Sequence, residues 1–440
     1  MRASFFSLIH AQRYYGSSFI DKIGRNMKKS TNSFNVDLGV VDCDTFNDIY
    51  PEVNSYLLSE ECGSWAPSRD GNVKEMLDVK THIKNPYRRC VGGYGRNINI
   101  FFLLAEAMWI ALGRKDVDWL VLFNKQMAKY SDDGKSFHAP YGYRLRHWGN
   151  RSEDAFIDEN SQAARGYDQL SDAVRLLGEN PNTRQVVMSI WNPTLDLGFK
   201  TKDIPCNDIV MMKIRNGFLI TTIANRSNDL HLGLPTNIFQ FSFLAEIVSN
   251  VLGIRMGTQT HNSQSLHVYD WNKSAFIMRN AYNRNNKAET LYDIAEARSM
   301  DFKFVADLPV NRLVEVDSVL KLIMKNISAV TNGEEAIYGE EVMIHDCSLY
   351  LYYAYSLLKI YLKYRKATDE SKDESVRDAV RCELIDEIRN LELKYTEEYA
   401  ILYGVRIEDV KPWDVSLLAK NFFASRLSTT PFKNTVLGSL

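Results

Sequence analysis

Apolar positions follow two regimes along this chain. Up to about residue 300, stretches of helical period alternate with stretches of strand period, and beyond it the period is helical. Phe46 to Cys62 places Ile49, Val53, Tyr56 and Leu57 on one helical face. The composition of Ala66 to Asn72 predicts a turn, and Val73 to Ile83 reads as the strand after it. Asn97 to Leu112 is an almost wholly apolar helix closed by Gly113, and the helical pattern continues from Val117 to Tyr130. Ala139 to Trp148 reads as irregular, Glu159 to Leu177 as helix, and Arg184 to Trp191 as a buried strand. Ile209–Ile214 and Phe218–Ala224 flank Asn216 and Gly217, the strongest short-range hairpin signal. Pro235 opens a helix with almost no polar face, which Gly253 stops. Thr258 to Tyr269 reads as a further strand, with His267 and Tyr269 on one side of it. Leu313–Val330, Tyr350–Tyr364 and Ser375–Tyr399 read as helices with charged outer faces, and 369–374 as a solvated helix start.

This alternation predicts an α/β (α+β) class. The expected organisation is an N-terminal extension (1–44), a catalytic domain (45–300) and a helical C-terminal region (301–440), which could pack on the core, mediate assembly or bind a partner. A formal net charge of -2 gives no reason to expect a nucleic-acid or membrane-surface partner, and no apolar run approaches the roughly 20 residues that span a bilayer. The six cysteines lack C-x-x-C spacing, which argues against zinc and a disulfide framework and fits a reducing, cytoplasmic compartment. Arg2, Arg13, Lys22, Arg25, Lys28 and Lys29 stand against Asp21 alone near the start. That balance suits an organelle transit peptide or a plain extension of a cytosolic protein.

The candidate chemistry gathers between 203 and 237. Cys206 follows a proline at the start of a strand, and the hairpin brings Arg226 back beside it. A thiolate needs such a cation, since a free thiol has a pKa of about 8.5. Arg69, on the turn before a strand, can reach an anion or remain a solvated arginine. Glu106, inside the apolar helix, is either a proton-handling carboxyl or a helix-edge glutamate paired with Arg114 or a nearby lysine. Trp109, Trp148 and Trp191 read as packing residues. His231 and His261 have no partners at metal-ligand spacing, so no metal site is expected.

The stretches N-P-N-T-R-Q-V-V-M-S-I-W-N-P (180–193), P-C-N (205–207), N-R-S-N-D-L-H-L-G-L-P-T-N (225–237) and L-H-V-Y (266–269) resemble the thymidylate synthase family, which includes pyrimidine nucleotide hydroxymethylases. L-A-E-A-M-W (104–109) and Y-G-Y-R-L-R-H-W (141–148) fit its earlier blocks more loosely. The resemblance implies a large, mostly antiparallel sheet and a homodimer sharing arginines across its interface. It implies 5,10-methylenetetrahydrofolate as co-substrate and a pyrimidine nucleoside monophosphate as substrate. Carried over, Cys206 is the nucleophile and Glu106 organises proton transfer through water. Arg226, Ser227 and Arg69 bind the phosphate, and Arg184 reaches the phosphate of the other subunit. Asn237 holds the pyrimidine edge, and His267 and Tyr269 hold the sugar hydroxyl. Asp229, Gly233 and Trp109 lie on the folate side.

The departures are also specific. Asn207 stands where synthases usually have histidine, Gln185 where many have a second arginine, and Thr236 where phenylalanine is usual; Ser263-Gln264-Ser265 replaces a glycine-aspartate approach. The related dCMP hydroxymethylase has aspartate at the position of Asn237, so an asparagine here favours a uracil nucleotide. Three readings follow: conversion of dUMP to dTMP first, a dUMP, dCMP or CMP hydroxymethylase second, and a catalytically silent nucleotide-binding or regulatory protein third.

Overall fold

A computed structural model of the chain describes residues 32–92, 98–149, 166–272, 276, 312–334, 349–410 and 414–428. Strands β1 (Ser33–Asn35) and β2 (Val40–Cys43) lead into helix α1 (Phe46–Leu57), capped by Thr45, whose Oγ1 accepts from Asn47 N at 3.3 Å. The expected turn at 66–72 is tighter than its composition suggested. Ala66–Ser68 forms β3 and Gly71–Ile83 forms β4, leaving only Arg69 and Asp70 at the tip.

Helix α2 (Ile100–Ala111) starts on Asn99, whose Oδ1 accepts from Phe102 N at 3.1 Å, and ends at Gly113, φ +65°. The next stretch is helical only to Phe123 (α3, Val117–Phe123) and tightens to a 3-10 helix over Lys125–Tyr130. Residues 141–146, expected to be irregular, form helix α4 (Tyr141–Arg146). Tertiary packing overrides local composition here. A Cβ on Gly142 would come within 2.0 Å of the Ile110 carbonyl oxygen, so only glycine lets α4 lie on α2. The buried Arg144 fixes the turn through Asp196 at 2.8 Å.

Helix α5 (Gln169–Glu179) is capped by Asp168, and residues 159–165 of the expected helix lie outside the described residues. Strand β5 (Val187–Ser189) is shorter than 184–191 and not fully buried: it sits at the sheet edge with Val187 51% exposed. A short helix α6 (Pro193–Asp196) follows. Then come β6 (Asn207–Arg215) and β7 (Phe218–Asn225), joined through Asn216 and Gly217, both at positive φ. Strand β8 (Asn228–Asp229), helix α7 (Gly233–Val251) and strand β9 (Arg255–Tyr269) complete the sheet region.

The sheet runs β1-β2-β4-β9-β7-β6-β5, with β3 on β4 and β8 on β9. The pairs β2–β4, β7–β9 and β8–β9 are parallel and the others antiparallel. Beyond it stand α8 (Leu313–Thr331), α9 (Leu349–Glu370), α10 (Glu374–Tyr403) and α11 (Asp414–Ala424). The 369–374 run is where α9 ends and α10 starts, with Asp373 capping α10. These helices join one apolar cluster with α2 and α7. Phe101 of α2 stacks on Tyr361 at 4.8 Å and meets Phe422 and Phe423 at 5.4 and 5.5 Å. Arg146 of α4 reaches Asp317 of α8 at 2.6 Å. Among the described residues no helix is long and apolar enough to cross a membrane.

Candidate active site

The β6–β7 register, Asn207 opposite Asn225, sets Cys206 beside Arg226 just beyond the paired ends. Arg226 N donates to Cys206 O at 3.0 Å, and the guanidinium Nη2 lies 3.9 Å from Sγ. That guanidinium is aimed by Pro205 O (2.8 Å) and Ile204 O (3.2 Å) and lies over the Trp191 ring. Burial pushes the Cys206 thiol pKa up; Arg226 and Arg69 pull it back, while Asp203 and Asp208 add to the rise. The unreacted cysteine is therefore mainly thiol at neutral pH. Asp208 has its own pKa pushed up to about 6 by burial, with Arg226 opposing.

Arg69, at the β3–β4 tip, pairs with Asp70 at 3.0 Å and remains exposed. Trp271 holds this tip: its indole N–H donates to Asp70 O at 2.8 Å and its ring stacks on Tyr269 at 5.1 Å. Gly71, φ +131°, makes room, since a Cβ there would come 2.9 Å from Trp271 Cδ1. Ser227 follows Arg226 and is partly exposed. Strand β8 sets Asp229 opposite His267, and His267 and Tyr269 lie 5.1 Å apart, edge to face. Burial lowers the pKa of His267, with Asp229 opposing, so the imidazole is neutral at neutral pH. Burial, then Asp229, pushes Tyr269 up to about 12.

Glu106 does not pair with Arg114, which is taken by Asp116 at 2.7 Å. Its Oε2 accepts instead from Gln240 Nε2 of α7. Desolvation raises its pKa to about 8 against the opposing Gln240 contact, which favours the proton-handling alternative. Gly233 opens α7, and a Cβ there would come 3.1 Å from Asn228 Oδ1. Trp109, expected on the folate side, is in the core: it is 4% exposed, donates to Asp116 O at 3.1 Å and meets Phe137 edge-on. Arg184 stands exposed before β5 and makes no hydrogen bond or ion pair with the Cys206 group among the described residues.

Two residues escaped the sequence reading. Tyr141, in the stretch expected to be irregular, is bound to Cys206 through the cysteine's backbone, and burial raises its pKa well above the ordinary value, with Cys206 and Asp203 adding. Tyr130 shares the neighbourhood of Arg69, Asp229 and Cys206 and stands 45% exposed. The aromatic and arginine density of 139–148 was the one available signal for Tyr141.

Asn237 is 5% exposed and lies inside a chain of amides. Asn225 Nδ2 donates to Asn207 Oδ1, Asn207 Nδ2 to Asn237 Oδ1 at 3.1 Å, Asn237 Nδ2 to Asn228 Oδ1 at 3.2 Å, and Asn228 Nδ2 to Ser263 Oγ at 3.1 Å. Among the described residues no group of three or more His, Cys, Asp or Glu side chains converges as a metal site would.

The site thus combines a mostly antiparallel sheet, a cysteine–arginine pair at the end of one hairpin and a buried asparagine on the helix that follows. The sequence profile of the thymidylate synthase family matches residues 95–315, half of the chain, and the protein belongs to that family. It is 43% identical over 223 residues to a deoxyuridylate hydroxymethyltransferase of Bacillus phage SP01, covering 50% of this chain and 56% of the relative. It is 36% identical over 218 residues to one of Pseudomonas phage M6, covering 49% and 57%. A thymidylate synthase of Human herpesvirus 8 type P (isolate GK18) is 36% identical over 129 residues, covering 29% of this chain and 37% of that one. The chain thus spans little more than half the length of the phage relatives it matches.

Proposed function

We propose that this chain transfers a one-carbon unit to carbon 5 of deoxyuridylate through a Cys206 adduct and that water, not hydride, completes the product, giving 5-hydroxymethyl-dUMP. The carrying observation is Cys206 Sγ 3.9 Å from a main-chain-held Arg226. A nucleotide phosphate held by Arg226, Ser227 and Arg69 would bring the ring toward the thiol. The names of the phage relatives favour the hydroxymethyl outcome over the methyl outcome that the sequence motifs alone ranked first.

Cys206 sulfur adds to carbon 6 of the uracil ring and makes carbon 5 nucleophilic. Bound methylenetetrahydrofolate supplies the one-carbon unit at the methylene level. Carbon 5 bonds to that carbon. The carbon 5 proton is removed and passes to the folate amine as the carbon–nitrogen bond breaks, and tetrahydrofolate leaves an exocyclic methylene on the ring. The water oxygen bonds to this methylene and the water proton is relayed through the Glu106 carboxyl. The ring electrons then reform the 5,6 double bond and the carbon 6–sulfur bond breaks back to the Cys206 thiolate. No group is oxidised or reduced. A carboxyl poised near neutrality serves such a proton relay well. His267 and Tyr269 are placed to hold the sugar.

A homodimer fits the same reading: the sheet face carrying Val187 (51% exposed) and Phe218 (42%) is uncovered in the single chain, and Arg184 stands beside it. The test is incubation with methylenetetrahydrofolate and dUMP, dCMP, UMP or CMP in parallel, with the product weighed by mass spectrometry. A hydroxymethyl product from dUMP with tetrahydrofolate released is expected. A methyl product with dihydrofolate released would make the chain a thymidylate synthase instead. Nucleotide binding without turnover would return it to the silent class.

A further inference from the structure

Resting on this reading, we propose that Asn207 is a specificity-positioning residue: the amide chain Asn225–Asn207–Asn237–Asn228–Ser263 has a single polarity, and that polarity, held by the amides flanking Asn237, Asn207 among them, determines whether the site reads uracil or cytosine. A side-chain amide has two acceptor lone pairs and two N–H donors. At Asn237 one lone pair is taken by Asn207 Nδ2 and one hydrogen by Asn228 Oδ1. One acceptor and one donor remain, side by side at the tip of the amide. Uracil matches this pair with its carbonyl and ring N–H; cytosine offers its amine and bare ring nitrogen in the opposite order. Rotating Asn237 by half a turn would exchange donor and acceptor and suit cytosine.

Asn237 cannot rotate alone. Its Nδ2 would then face Asn207 Nδ2, and its Oδ1 would face Asn228 Oδ1: two buried clashes of like groups with no solvent to relieve them, since Asn207, Asn225, Asn228 and Asn237 are all at most 5% exposed. Every link must reverse together. Ser263, whose hydroxyl donates or accepts, tolerates either polarity, so the end of the chain does not choose. The choice lies in the amides flanking Asn237.

Two isosteric substitutions therefore pull in opposite directions. Asn207→Asp leaves only acceptors at 207, so Asn237 must turn its Nδ2 there and present the cytosine-reading edge. Asn228→Asp leaves only acceptors at 228 and locks the polarity already present. Competition binding of dUMP against dCMP to the full chain reads the ratio directly and does not depend on turnover. Asn207→Asp is expected to lower the dUMP:dCMP preference by at least about tenfold, whereas Asn228→Asp holds or raises it. Asn207→Ser, which donates or accepts, lies between them and carries the test if a buried aspartate prevents folding. A purely structural role would move both aspartate variants the same way or neither, and that result overturns the relay while leaving the proposed activity standing. Wild-type protein that binds neither nucleotide overturns both.

Discussion

The Cys206 end of the sheet and the C-terminal helical layer are both densely packed, but different physics holds them. At the sheet end, Asn207, Asn225, Asn228, Asn237 and Gln240 are bound by directional hydrogen bonds in which each atom's identity matters. In the helical layer, Phe101, Tyr361, Tyr364, Phe422 and Phe423 form a ring cluster in which volume matters and direction matters less. Changes that alter an atom type while keeping shape should act on chemistry at the first site. Changes that remove volume should act on stability at the second.

The largest expected effect is Cys206→Ala, which should cut turnover by at least about a thousandfold, in the range seen when a nucleophile is removed, while the thermal midpoint barely moves. Steady-state assays beside a melting curve check this, and retained turnover would end the covalent reading. Phe423→Ala should do the converse. Removing a fully buried ring costs about 3–5 kcal/mol, read as a shifted denaturant midpoint, while kcat of the folded protein well below its melt changes little. A loss of kcat as large as the stability loss would mean the helical layer also sets the geometry of Glu106. Gly142→Ala should destabilise by about 1–3 kcal/mol, because its Cβ would be driven into the Ile110 carbonyl. A pH trend completes the comparison. Glu106 has its folded pKa raised from 4.5 to about 8, so the stabilisation from its proton is complete below the lower value and is lost as pH rises through the upper one. Glu106→Gln lacks that ionisation, so its melting temperature should gain on the wild type across that window and run parallel to it at lower pH.

Legibility in the sequence divides along the same line. Periodicity located α1, α2, α7, β9 and the α8–α10 helices, because each buries one broad face, and Asn216-Gly217 fixed the hairpin that joins Cys206 to Arg226. Helix α4 was missed because what forms it is non-local: an Ile110 backbone that admits only glycine and an Arg144–Asp196 pair more than 50 residues apart. Strand β5 was read too long because a run of apolar residues does not distinguish a central strand from an edge. The Cys206–Arg226 pair was legible because the hairpin dictates it. The amide chain was not, since it draws on β6, β7, β8, α7 and β9 at once. Nor was the partner of Glu106, since Gln240 comes from α7, 134 residues away.

The contact of Phe101 with Phe423 also bears on how the molecule comes into being. These rings lie nearly the length of the described chain apart, so the loop between them closes only after almost everything else has been made, and such distant closures are slow and entropically costly. Helix α2, which carries Glu106, therefore emerges early from the ribosome but lacks part of its packing surface until the last described helix arrives. The cysteine hairpin is complete well before then. During synthesis the Cys206 hairpin thus matures ahead of the packing around Glu106, and a truncated chain would display the first without a settled version of the second.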